Sequence, residues 1–119
     1  MQTRSSAMKS KKVMLTRTAL EIVAARFRAL SDASRLQILQ YLFNGERSVQ
    51  ELCELTELSQ ANVSKHLSLL ADQGIVQRRR QGLFVYYSIS DNTVYDLCDL
   101  VCNSVGKRYG QVMKEFSAR

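Results

Sequence analysis

Cys98 and Cys102 stand four residues apart, and at helical spacing their sulfurs project from one face. Such a pair can chelate a soft thiophilic cation, such as a trivalent metalloid or soft metal ion, and a third thiolate would complete a trigonal site. The third thiol, Cys53, lies within Glu51-Leu52-Cys53-Glu54-Leu55. Thiolates also oxidise reversibly, so a reactive sulfur species or oxidant is a second open signal. The i, i+4 spacing slightly favours chelation, because an intrahelical disulfide there would be strained. Packing is the competing reading for all three, because cysteine is a good small hydrophobe and Cys98 falls on an apolar stripe. An odd set of three without regular spacing is no disulfide framework. Reduced thiols and a cytoplasmic location are therefore expected. His66 is the single histidine, so one chain cannot build a multi-histidine zinc site. Beside Lys65 it suits a phosphate contact or a surface hydrogen bond.

A second chemistry sits between residues 59 and 81. A helix that reads the major groove carries short polar and cationic side chains in its N-terminal half. Gln60, Asn62, Ser64 and Lys65 occupy that half of one predicted helix. Gln and Asn can pair bidentately with adenine, and Lys can reach guanine acceptors or phosphate. Ser59 and the helix N-terminus offer backbone donors to a phosphate. Arg78, Arg79 and Arg80 follow, with Gln81 at the turn of a hairpin. Strand alternation puts Arg78 and Arg80 on one face, reaching for backbone or minor groove, and Arg79 on the other.

These residues need elements to hold them. Leu20, Val23, Ala24, Phe27 and Leu30 recur at helical spacing, which predicts a helix over residues 15–30. Ser31 or Asp32 can cap a second helix, in which Leu36, Ile38, Leu39, Leu42 and Phe43 are expected to be largely buried, stopping at Asn44-Gly45. Ser48 with Glu51 is a capping box opening a short helix over Val49 to Thr56. Ser59 caps the next, from Gln60 to Gln73, with Val63, Leu67 and Leu70 turned inward. The β-prone runs Val76 to Arg80 and Phe84 to Ile89 flank Gln81-Gly82-Leu83 as a hairpin. Val94, Cys98, Val101, Val105, Tyr109, Val112 and Phe116 then mark a long helix from Thr93 to Phe116, with Gly106 and Gly110 as weak points. The order spells a mainly α winged helix-turn-helix with a small β-hairpin and a flanking helix at each end. The two flanking helices carry more apolar stripe than one small domain can cover, so a homodimer joined through residues 15–30 and 93–116 is expected.

Composition narrows the classes further. A chain of 119 residues with 45% hydrophobic and 24% charged content suits one globular domain rather than a disordered tail. No apolar run approaches the roughly 18 residues that cross a bilayer, so no membrane partner is expected. Residues 1–12 carry Arg4, Lys9, Lys11 and Lys12 with no acid. Residues 1–14 read as a basic flexible arm without the apolar stretch of a secretory signal, and 15–119 as the DNA-binding and dimerisation domain. From Ser59 to Ser88 the only acid is Asp72, against Lys65 and the three arginines. A basic patch so confined is what a polyanion selects. No glycine-rich phosphate loop or Gly-x-Ser-x-Gly elbow is present, and no cysteine has an evident catalytic partner, so an enzyme is not expected. A winged helix can also serve as a protein-docking surface, and a DNA-binding chain can lack any inducer.

The sequence resembles the ArsR/SmtB-like family of bacterial winged-helix repressors over roughly Ala19 to Val112. The resemblance rests on Leu30-Ser31-Asp32-Ala33-Ser34-Arg35-Leu36-Gln37-Ile38-Leu39, on Ser48-Val49-Gln50-Glu51-Leu52-Cys53, on Leu58 through Leu67, and on Tyr86-Tyr87-Ser88-Ile89. It implies a homodimer on a palindromic double-stranded operator, released by a chemical signal. Arsenic-sensing members resemble the chain at Glu51-Leu52-Cys53 but carry a second cysteine where Leu55 stands. Zinc-sensing members place Asp and His ligands on the last helix; Asp91 fits the first, whereas Thr93 and Ser104 stand where histidines are expected. Sulfide-responsive members pair a last-helix cysteine with one near the position of Gln40.

Overall fold

The computed structural model describes residues 14–110. The predicted arm lies, apart from Met14, outside them, as do Val112 and Phe116. Thr16 caps helix α1 (Arg17–Leu30) by accepting from the Ala19 amide at 3.1 Å. Asp32, rather than Ser31, caps α2 (Ala33–Leu42), its carboxylate accepting from the Arg35 amide at 3.0 Å. Ile38, Leu39 and Leu42 of α2 are buried, but Leu36 is 42% exposed, against expectation. At 100° per residue Leu36 points away from Ile38, so it cannot share the inward face. Phe43 ends the helix half-buried, edge-on to Tyr95 at 5.0 Å.

A short strand that sequence periodicity does not predict follows, β1 (Arg47–Ser48). Helix α3 (Val49–Thr56) has the expected bounds. The Ser48 hydroxyl accepts from the Glu51 amide at 3.1 Å while Glu51 accepts from the Ser48 amide at 2.8 Å. Glu57 turns the chain with a left-handed φ of 63°, and Leu58 packs on the core. Ser59 then caps α4 (Gln60–Asp72), which ends one residue before the predicted Gln73.

Val63, Leu67 and Leu70 of α4 are fully buried. They pack with Ile38, Leu39, Leu52, Ile75 and Val94 in one core cluster. The hairpin is tighter than its sequence suggests. Strands β2 (Val76–Gln81) and β3 (Phe84–Ile89) pair through to Gln81 opposite Phe84, so Gln81 is a strand residue and only Gly82 and Leu83 make the turn. Gly82 has φ 62° and Leu83 does not share a positive φ, the pattern of a II′ hairpin whose twist matches its strands. The sheet order is β1-β3-β2, all antiparallel.

Within the described residues the last helix, α5 (Thr93–Tyr109), is closed by Gly110 at φ 53°, and the rest of the predicted span to Phe116 lies outside them. Together α3, the turn and α4 form a helix-turn-helix, and β2–β3 is the wing beside it. No helix among the described residues is long and apolar enough to cross a membrane.

Candidate nucleic-acid interface

The N-terminal half of α4 and the wing enclose a groove of about 540 Å³. Gln60, Ser64 and Ser68 line it from the helix, and Arg78, Leu83 and Phe84 from the wing, with Ser48, Val49 and Gln50 at its floor. Asn62 and Lys65 stand exposed on α4 outside this lining. The Ser59 hydroxyl is committed to the helix, accepting from the Asn62 amide at 3.1 Å. What it leaves for a ligand is the helix N-terminus itself, with backbone donors and the positive end of the dipole.

The three wing arginines divide between the two faces of the hairpin as strand alternation predicts. Arg78 pairs across the ladder with buried Tyr87 and faces the groove, and Arg80 falls on the same side. Among the described residues no hydrogen bond or ion pair holds either of their guanidinium groups. Arg79, on the opposite side, donates to both oxygens of Glu46 at 2.9 Å and to the Gln81 side chain at 2.6 Å. It also lies 4.7 Å over the Tyr86 ring. Its hydrogen bonds hold the Glu46 carboxyl below the usual range and raise the Arg79 guanidinium above its own. Gln81, on that same face, is drawn into the cluster rather than toward the groove.

His66 is half-buried and not alone. Its Nδ1 lies 3.2 Å from the Arg35 guanidinium, which also donates to the carbonyls of Ala29 and Arg28 at 2.6 and 3.1 Å. A guanidinium has only donors, so Nδ1 accepts and the ring N–H sits on Nε2. One side chain thereby ties the end of α1 to α4. The Asp32 carboxyl is held below its ordinary value, first by the Arg35 amide and then by the Arg35 guanidinium. Nothing in local spacing signals this link, because Arg35 and His66 are 31 residues apart.

A second cluster spans still more of the chain. Arg26 of α1 donates to Asp91 Oδ2 at 2.6 Å and to the Gln73 carbonyl, at the end of α4, at 2.5 Å. Asp91 Oδ1 accepts from the Thr93 hydroxyl at 2.5 Å and from its amide at 3.0 Å, which caps α5 in place of an uncapping Asn92. The Thr93 hydroxyl foremost, then Arg26, holds the Asp91 carboxyl below the ordinary aspartate range. The position that resemblance aligned with a metal-binding Asp is thus occupied by protein donors on both oxygens.

The cysteines fall into two settings. Cys53 and Cys98 are half-buried against the core, whereas Cys102 is half-buried one turn along α5 outside that cluster. Among the described residues no three of His, Cys, Asp and Glu come together as a metal-holding group. Cys98 and Cys102 remain a two-thiol pair on one helix, and Cys53 does not join them within the chain.

Residues 32–78 match the family described as "Bacterial regulatory protein, arsR family". The chain is 46% identical over 77 residues to a probable mercury resistance operon repressor of Streptomyces lividans, covering 65% of this chain and 62% of that protein. It is 30% identical over 81 residues to the transcriptional repressor SdpR of Bacillus subtilis, covering 68% of this chain and 90% of that one. Among solved structures it is similar to the homodimeric winged helix-turn-helix DNA-binding domain of a possible ArsR-family transcriptional regulator from Mycobacterium bovis. That match has a TM-score of 0.71 at 33% identity and covers 82% of this chain and 93% of the other. With this fold, and with the family match falling on α2, α3, α4 and the start of the wing, the chain belongs to the ArsR family of bacterial regulatory proteins.

Proposed function

We propose that the chain is a dimeric transcriptional repressor acting in the cytoplasm, which binds operator DNA through α4 and the wing and leaves it on a thiol-directed signal. The observation that carries the reading is the groove where Gln60 and Ser64 meet Arg78. Donors suited to base edges and an uncommitted cation suited to phosphate stand on one surface. Ser59, Asn62, Lys65, His66 and Arg80 extend it. Arg79 and Gln81 act behind it, by holding the wing. Dimerisation is supported by the apolar side chains that α1 and α5 leave uncovered, including Phe27 at 54% and Leu100 at 68% exposure. Two-fold symmetry would set two copies of α4 about one DNA turn apart.

The signal is the finer part of the proposal. The relative from Streptomyces lividans is named for mercury resistance, and a two-thiolate pair such as Cys98 and Cys102 suits a soft cation. The pair sits on a helix of the proposed dimer face, so a bound cation changes the spacing of the two reading heads. The test is fluorescence anisotropy on a duplex enriched from a random pool by the full chain. Asn62→Ala and Lys65→Ala should each cost about 1–3 kcal/mol on that duplex and relax base preference. Mercuric ion should release the parent but neither Cys98→Ser nor Cys102→Ser, while release by polysulfide alone would assign redox sensing instead. Variants that bind like the parent would remove the DNA surface. Serine variants that respond like the parent would leave the cysteines as packing residues.

A further inference from the structure

Leu83 is 92% exposed, more than any other large hydrophobic side chain among the described residues. It sits at the end of the wing on a two-residue turn, closed by the Gln81–Phe84 pair and set by the positive φ of Gly82. The wing behind it is braced, since Arg79 clamps Glu46 and the Phe84 ring leans on Tyr86 at 6.5 Å. An apolar side chain is therefore held out into water on a stiff support. Leu83 shares the groove with Arg78, and Arg80 lies on the same face. Cations around an apolar tip match a partner that is anionic outside and apolar within.

A DNA minor groove has that composition, with phosphates on both walls and stacked bases between them. We propose that Leu83 is an apolar wedge, carried by the wing into the minor groove beside the site read by α4, where it partly unstacks one base step. The proposal rests on the DNA-binding reading above. Arg78 and Arg80 hold the flanking phosphates, and Leu83 adds sequence preference without a base hydrogen bond. Its preference is for steps that unstack easily, the pyrimidine–purine steps.

The test uses the full chain and the duplex enriched from a random pool, with 2-aminopurine placed in turn at each flanking position. The parent should raise the fluorescence at one step on each side. Leu83→Ala should abolish that rise and weaken binding about tenfold, with the salt dependence unchanged because no charge is lost. Leu83→Met, which keeps the apolar volume, should restore both. An alanine variant with the parent's affinity and fluorescence, or a parent that unstacks no step, overturns the wedge. A change of oligomeric state in Leu83→Ala with the fluorescence retained would overturn it in favour of a protein contact. Failure of the parent to enrich any duplex, or binding indifferent to salt, would instead sink the DNA reading beneath it.

Discussion

Adjacent side chains on a strand point to opposite surfaces, and in Arg78, Arg79 and Arg80 this divides one basic run into two roles. Arg79 spends its donors on Glu46 and Gln81, whereas Arg78 and Arg80 keep theirs for a partner. Replacing Arg78 or Arg80 by glutamine should weaken binding to every sequence alike. Each change should also flatten the slope of log affinity against log salt by about 0.9, the release of one phosphate's counterions. Arg79→Gln should leave that slope in place and instead speed amide exchange along β2 and β3, read by hydrogen–deuterium exchange. A flattened slope in Arg79→Gln would place that residue on the DNA after all. The basic run and its alternation are legible in the sequence. The partner Glu46 is not, because it stands 33 residues from Arg79 and nothing in either neighbourhood announces the other.

Helices α1, α4 and α5 meet at Arg26, Gln73 and Asp91. Asp91 is held below the ordinary aspartate value of 3.8 by the Thr93 hydroxyl and by Arg26. A carboxyl depressed in the folded state stabilises above its unfolded value, and that stabilisation is lost as the pH falls through the folded one. Asp91→Asn should therefore lower the urea midpoint at neutral pH. The gap from the parent should close progressively as the pH drops below about 4 and through the depressed folded value. A gap that does not narrow as the pH falls would assign the loss to packing. Element by element, the sequence was most informative where local chemistry decides the outcome. Ser48 with Glu51 fixes the start of α3, Asp32 and Ser59 fix the starts of α2 and α4, and Val63, Leu67 and Leu70 state which side of α4 is inward. It was silent where distant segments decide. Strand β1 exists only because Arg47 and Ser48 lie beside Tyr87 and Tyr86, and Arg35 reaches His66 only in the folded chain. Leu36 reads as core by composition and is outward by geometry.

At the scale of the whole molecule, the apolar stripe of α1 finds no cover among the described residues: Leu20, Ile22, Val23 and Phe27 are all exposed, as are Leu100 and Val101 of α5. Phe27→Glu or Leu100→Glu should place a charge in the proposed dimer contact without touching the core. Sedimentation equilibrium should then find monomers, with the far-UV circular dichroism of the parent retained. Losing the second half-site should weaken operator binding by about a hundredfold or more. Dimers that survive both changes would require a different interface.

The two-residue turn at Gly82 and Leu83 also limits how this wing can change length. With a side-chain period of two, one residue added within β2 between Arg80 and Gly82 exchanges the faces of everything before it relative to the turn. Arg79 would be carried toward the groove and the two unpaired arginines toward Glu46. Two residues added would preserve the division and only extend the reach. Viable insertions and deletions in this hairpin should therefore come in pairs, a parity rule that the proposed twofold assembly would enforce twice over.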